Sequence, residues 1–528
     1  MTSPINTVLL RLAKRAEATG RQELIQTFVD VGPLFTLLSS HDHQILYGRR
    51  GTGKTHALAY LASTREEAGD LVAYVDLRNI GSSGGIYADS TRTMSERATC
   101  LLVDTLSAIH ECLYERVVET AGMFDLAVVG PALDAIADAI TQVRVVGPAE
   151  VEATRDSGAS ATRTATLSLA GSVAGIVATA EARSSAEVYA ASSQRVRRVG
   201  AEQLYINFGS AGASFRRLSD TLSNRRLWIL LDEWSSLPLE LQPFLADLLR
   251  RSVLPVPGVT VKIAAIEQRS LFRQTLPSGD YLGIEVGADA SADVNLDDFM
   301  VFDNDAERAK EFFQDLISRH AIAVARDLGL EGEVPFEAVN LLGEAFTQRR
   351  AFEEFVRASE GVPRDAINIL ALAATRALDE TISVDHVRIA AKNWYQRDKD
   401  KAVSANESSH QLLHWVIDKV IGDRRARAFL LRSDWSHPLI DALYDARVLH
   451  ILKRNISTHD QPGVRYDVYK LDYGCYVDLI STVRAPLGLL PADAAEGAAA
   501  YVDVPPDDYR SIRRAILDIR EFDGNEAG

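Results

Sequence analysis

Cysteine is scarce in this chain: three in 528 residues, Cys100, Cys112 and Cys475. They lie far apart with no C-x-x-C spacing. That excludes a disulfide framework and a cysteine-rich zinc site, and it fits a reducing, cytoplasmic setting. A long apolar run is missing too. The longest uncharged stretch, Thr164 to Ala180, is mostly Ala, Gly, Ser and Thr and too weakly apolar to enter a bilayer. Arg11, Lys14 and Arg15 follow the first short apolar stretch, so the N-terminus does not read as a signal peptide. Basic charge is in deficit, with 57 Lys+Arg against 73 Asp+Glu and a net charge of −16. A protein that coats nucleic acid through overall charge is therefore excluded, and any such contact needs a local patch. What is present is ordinary for a globular protein: 47% hydrophobic and 25% charged residues, enough apolar surface for cores. At roughly 150 residues per domain, the length suggests about three domains.

One segment is unusually specific. After the apolar stretch QILYG come Gly48, Arg49, Arg50, Gly51, Thr52, Gly53, Lys54 and Thr55. This fits G-x-x-x-x-G-K-[ST], the Walker A phosphate loop, without a mismatch. Gly48, Gly51, Thr52 and Gly53 let successive backbone N–H groups turn inward at phosphate oxygens, and a helix opening near Lys54 adds its positive end. In this pattern Lys54 reaches the β- and γ-phosphates and Thr55 binds Mg²⁺. A second segment agrees. Leu227 to Leu231 are five apolar residues, as expected of a strand buried on both faces of a parallel sheet, and Asp232 and Glu233 follow. Two adjacent carboxylates ending such a strand form a Walker B pattern, with Asp232 orienting Mg²⁺ and Glu233 polarising the attacking water.

Further strands are expected at Leu71–Leu77, Val259–Ile266 and, more weakly, Val294–Val301. Helical patterns over Ser95–Glu119, Pro238–Leu249 and Ala306–His320 lie between or after them. Alternating strands and helices predict a parallel α/β sheet. With GRRGTGKT, LLDE, the strand end IEQRS and EGVPRDAINIL (360–370), the chain resembles the Orc/Cdc6-like branch of the AAA+ ATPases. The resemblance implies an α/β P-loop core, a helical lid and a C-terminal winged helix. It makes Arg364, after Gly361-Val362-Pro363, the sensor 2 arginine facing the γ-phosphate. Such proteins usually carry Asn, Thr or Ser at sensor 1, where this chain has Glu267 and Gln268. Gln268 suits water orientation, whereas Glu267 would be repelled by phosphate. An arginine finger is expected after this strand, with Arg269 and Arg273 as candidates.

Lys54 and Asp232 are 178 positions apart, although two βα units need roughly 60 residues. The excess is placed at 120–205 and read as a β-hairpin or ribbon, with TATLSL (164–169) alternating and Arg195, Arg197 and Arg198 following. Residues 144–226 hold eleven Arg against seven acidic residues, which fits contact with DNA or a neighbouring subunit and equally a solvated decoration.

These patterns divide the chain into an ATPase core at 1–304, a helical lid at 305–400, a winged helix at 401–490 and an acidic segment at 491–528. Residues 396–409 read as a polar linker. Within 401–490, helices are expected at 410–421, 424–431 and 438–446. Strands at 448–456 and 464–473 would flank the turn 458–463. Lys453, Arg454 and Arg465 near this wing are the candidate DNA contacts. His410 and His414 share a helix but have no evident third ligand, which argues against zinc.

The expected activity is Mg²⁺-dependent ATP binding and hydrolysis that drives assembly or conformational change. The expected partners are double-stranded DNA through the winged helix, and further copies of the chain or a partner protein. The alternative is an ATP-controlled signalling or defence switch whose winged helix and insertion bind a protein.

Overall fold

The computed structural model describes residues 3–12, 20–80, 89, 91–140, 143–153, 194–299, 305–480 and 516–522, less short gaps at 31, 121, 147–148, 199–200, 205, 336, 424–425, 427, 436 and 458–462. Its centre is a five-stranded parallel sheet. The strands are β1 (Gln44–Tyr47), β2 (Leu71–Asp76), β3 (Leu227–Asp232), β4 (Val259–Ala265) and β5 (Ser291–Asn295), in the order β5–β1–β4–β3–β2. β3 and β4 are buried along their whole length, which is why both are mainly apolar in sequence. The fifth strand sits earlier than the sequence suggested. It ends at Asn295, whose side-chain oxygen accepts the Asp297 amide (3.0 Å) and turns the chain into a short helix, Leu296–Phe299. That local turn outweighs the apolar pattern beyond it.

The two sheet faces bury different partners because strand side chains alternate. On one face Leu46, Val72, Trp228, Leu230 and Ala264 share a core with the helix Lys54–Glu67 and with the lid. On the other, Ile45, Ala73, Ile229, Leu231 and Ile263 pack with the helices Met94–Glu119, Leu126–Ile140, Phe208–Thr221 and Gln242–Leu248. The excess segment thus begins as part of the core. It then leaves as an antiparallel ribbon, Val143–Val146 against Ala201–Leu204 and Ala149–Ala153 against Gln194–Arg198. The register sets Glu150 opposite Arg197 and Glu152 opposite Arg195. The alternating segment 164–169 lies outside the described residues.

The lid is helical throughout: Ala306–Leu328, Ala338–Ala345, Arg349–Ala358, Pro363–Ala377 and Val384–Trp394. Phe313, Leu316, Ile317, Ile369, Leu370 and Ala373 form its buried apolar stripes. The N-terminal helix Pro4–Leu10 is tied to this lid, with Asn6 Nδ2 donating to the carbonyls of Leu378 (2.8 Å) and Glu380 (2.9 Å).

The C-terminal module has the order helix (Glu407–Ile417), β6 (Ala428–Arg432), helix (Pro438–Asp445), β7 (Leu449–Ser457) and β8 (Arg465–Leu471), with the sheet order β6–β8–β7. The β7–β8 wing is where the sequence placed it. Three readings need correction. The helix expected at 424–431 is largely strand β6, because Ala428, Phe429, Leu430 and Leu431 are buried and paired with β8; tertiary pairing overrides local periodicity. The expected linker 396–409 is helical at Tyr395–Lys399, Asp400–Ser404 and from Glu407 onward. The acidic tail is not wholly solvated: Leu517, Ile519 and Phe522 are buried in this module and the Leu517 amide bonds Leu430 O (3.1 Å).

Candidate nucleotide site

The phosphate loop leaves the end of β1, between the edge strand β5 and the central strand β4. Gly51 and Gly53 have φ of +87° and +97°, values an L side chain rarely adopts. Gly51 is also pressed by the lid: a Cβ there would sit 2.6 Å from Arg364 Cβ, and the Arg364 amide donates to Gly51 O (3.2 Å). Thr55 lies in the first turn of the following helix, which runs Lys54–Glu67. Lys54 is buried and folded back on the loop, its Nζ donating to Gly48 O (2.8 Å) and Arg49 O (3.0 Å). Burial pushes its pKa down, partly offset by the Glu233 and Asp232 carboxylates nearby.

Asp232 ends β3 fully buried. Tyr74 OH donates to its Oδ2 (2.7 Å) and the Glu233 amide to its Oδ1 (2.8 Å), so the carboxylate is held in one orientation. Glu233 sits at φ +56°, a strained position for a non-glycine residue, at the sharp exit of the strand. Beside Thr55 and Tyr74, a cleft of about 850 Å³ opens between the loop helix and helix Met94–Glu119, and Asp76 and Glu115 line it too. On the other side of the loop is an apolar cleft of about 40 Å³, lined by Phe28, Val29, Leu34, Phe312, Leu316 and Pro363 with Thr52, Gly53 and His56. It joins the N-terminal segment, loop and lid.

The ORC-CDC6-like family model matches residues 12–68, the segment that carries β1, the phosphate loop and its helix. Over this segment the chain resembles the Orc/Cdc6-like family. The Aeropyrum pernix Orc1 protein, solved in complex with DNA, aligns with 90% of this chain and 96% of its own, at 13% identity and a TM-score of 0.29. A TM-score that low does not establish a shared fold. No curated protein matches the chain significantly.

The other predicted residues meet partners that the sequence did not show. Glu267, in the turn after β4, pairs with Arg454 of β7 (2.9 Å). Gln268 follows it, half-buried in the short helical turn Glu267–Arg269 after β4. Arg269 is ion-paired with Asp445 of the C-terminal module. Arg273 lies on an exposed hairpin, bonded to Glu285 (2.7 Å) and stacked on Tyr281. Lys453 and Arg465 are exposed on the wing, and Arg465 donates to Asn455 O (3.2 Å). His410 and His414 approach to 3.2 Å between their Nε2 atoms, and among the described residues no group of three or more His, Cys, Asp or Glu is placed to hold a metal. No described helix is long and apolar enough to cross a membrane.

Sequence reasoning missed Tyr74, Asp297, Tyr444 and His450, and took Arg49 for a free position of the motif. Arg49 is buried. Its amide and Nε bond both oxygens of Asp297 (2.9 and 2.8 Å), and Nη1 donates to Leu449 O (3.1 Å) and His450 Nδ1 (2.9 Å). Tyr444 lies under its guanidinium and donates to Asp297 (3.1 Å).

Proposed function

We propose that this Orc/Cdc6-like chain binds ATP with Mg²⁺ at the junction of sheet, lid and C-terminal module and hydrolyses it, as a DNA-associated AAA+ protein. The observation that carries the reading is the fit of lid to loop: Arg364 closes on Gly51, while Lys54 and the fixed Asp232 carboxylate face the same space. The base enters the apolar cleft beside Phe28 and Phe312. The loop amides cradle the phosphates, and Lys54 exchanges its two carbonyl partners for phosphate oxygens. Thr55 and Asp232 suit Mg²⁺, which is bound by few protein oxygens and supplies charge neutralisation at the phosphates. Glu233 holds the attacking water and accepts its proton; Gln268 helps orient it. Arg364 stabilises charge from the lid. Arg269 and Arg273 both stay finger candidates for another copy; each is exposed and each would leave a carboxylate, Asp445 or Glu285, to act. Lys453 and Arg465 meet DNA phosphates from the wing.

A second reading, a switch that binds a partner protein, is favoured by the helix Pro438–Asp445. It carries no Lys or Arg, and it faces the core through Tyr444 and Asp445, which leaves it no basic surface for a DNA groove. Lys54→Ala should remove nucleotide binding in a fluorescent-nucleotide titration, and undiminished binding would sink the ATP reading.

A further inference from the structure

Arg49 is bound at both ends by groups that belong to different parts of the molecule. Its carbonyl accepts from Lys54 and Thr52 inside the loop. Its guanidinium is held by the C-terminal module, through Leu449 O and His450. Since a guanidinium only donates, His450 Nδ1 must accept, and Nε2–H then donates to Asp472 (3.2 Å). His450 is therefore neutral, and burial pushes its pKa down to about 3. Asp472 in turn binds Lys399, Lys399 binds Asp365 (2.9 Å), and Asp365 adjoins Arg364, which presses on Gly51. The chain of contacts leaves the phosphate loop at Arg49 and returns to it at Gly51, passing through the module and the lid.

We propose that Arg49 is a positioning residue through which the docked C-terminal module restrains the phosphate loop, so that docking and nucleotide binding oppose each other. The inference rests on the ATP reading above. Two observations set the direction. With the module docked, Lys54 is engaged by loop carbonyls, one of them Arg49's own. The apolar cleft of about 40 Å³ has room for about three waters, too little for a purine. A bound nucleotide must part the lid from the loop, and the lid is tied through Asp365 and Lys399 to the module that grips Arg49. A ligand that favours one of two conformations shifts the balance by its difference in affinity, and the effect is reciprocal.

Three full-length variants test this. His450→Leu removes the acceptor for Arg49; His450→Asn places an amide oxygen near the Nδ1 position; Tyr444→Phe removes the hydroxyl on Asp297 and keeps the ring. Nucleotide affinity is read by titration, and hydrogen exchange over 48–53 and 444–450 is read without nucleotide. His450→Leu and Tyr444→Phe should bind nucleotide more tightly and exchange faster in both segments. For His450→Leu the gain should be about tenfold, the size of one hydrogen bond to a charged group. His450→Asn should stay close to wild type, which separates the acceptor's role from mere filling of space. Wild-type affinity and exchange in His450→Leu and Tyr444→Phe would overturn the coupling and leave the ATP reading standing. A wild type that binds no nucleotide would overturn the ATP reading, and the coupling with it.

Discussion

At the scale of single residues, the motif positions were readable and their partners were not. Lys54 and Asp232 stand out because glycine spacing and a charged strand end are local features. Tyr74 does not, since its hydroxyl meets Asp232 only once β2 lies beside β3. Lys262 is a further case, a lysine in the middle of a buried strand. Its Nζ donates to Ser40 O (2.9 Å) and to Gln44, with Trp228 alongside. Burial pushes its pKa down to about 7, opposed in part by attraction from Asp42 and helped by repulsion from Arg65. The sign follows from linkage. Between pH 7 and about 10.4 the unfolded chain holds a proton that the folded chain has lost, so Lys262 makes stability rise with pH across that window. In urea unfolding, the stability difference between wild type and Lys262→Met should therefore grow in favour of wild type from pH 7 to 9.5. A difference that stays flat would show that the amine is not shifted.

Among elements, amphipathic helices and buried strands were legible because their periodicity reports burial directly. The segment 396–409 was not. Its charges suggested solvent, yet Lys399 is buried between Asp365 and Asp472, and Arg447 joins Asp365 (3.2 Å). Burial alone would raise the Asp365 carboxyl; the Arg447 and Lys399 charges outweigh it and hold it well below the usual range. Polar composition marks a linker only when its charges have no partners distant in sequence. Lys399→Met keeps most of the stem but leaves two buried carboxylates with less compensation. It should cost about 3–5 kcal/mol of stability in denaturant unfolding, whereas a lysine in a solvated linker would change it by less than about 0.5 kcal/mol.

For the whole molecule, the acidic net charge of −16 leaves DNA contact to local surface. Duplex DNA should accelerate ATP hydrolysis, with binding that weakens steeply as salt rises, and Lys453→Ala with Arg465→Ala should lower the salt dependence. Hydrolysis indifferent to DNA would favour the protein-partner switch. By itself the sequence determined the phosphate loop, the acidic strand end, the parallel α/β core and the helical lid, because each is written in neighbouring residues or in a short period. Only the tertiary structure decided that Arg49 is held by His450, Arg269 by Asp445 and Arg454 by Glu267. Those pairs join residues 176 to 401 positions apart. Their partners become neighbours only when the C-terminal module docks on the core, which no local pattern records.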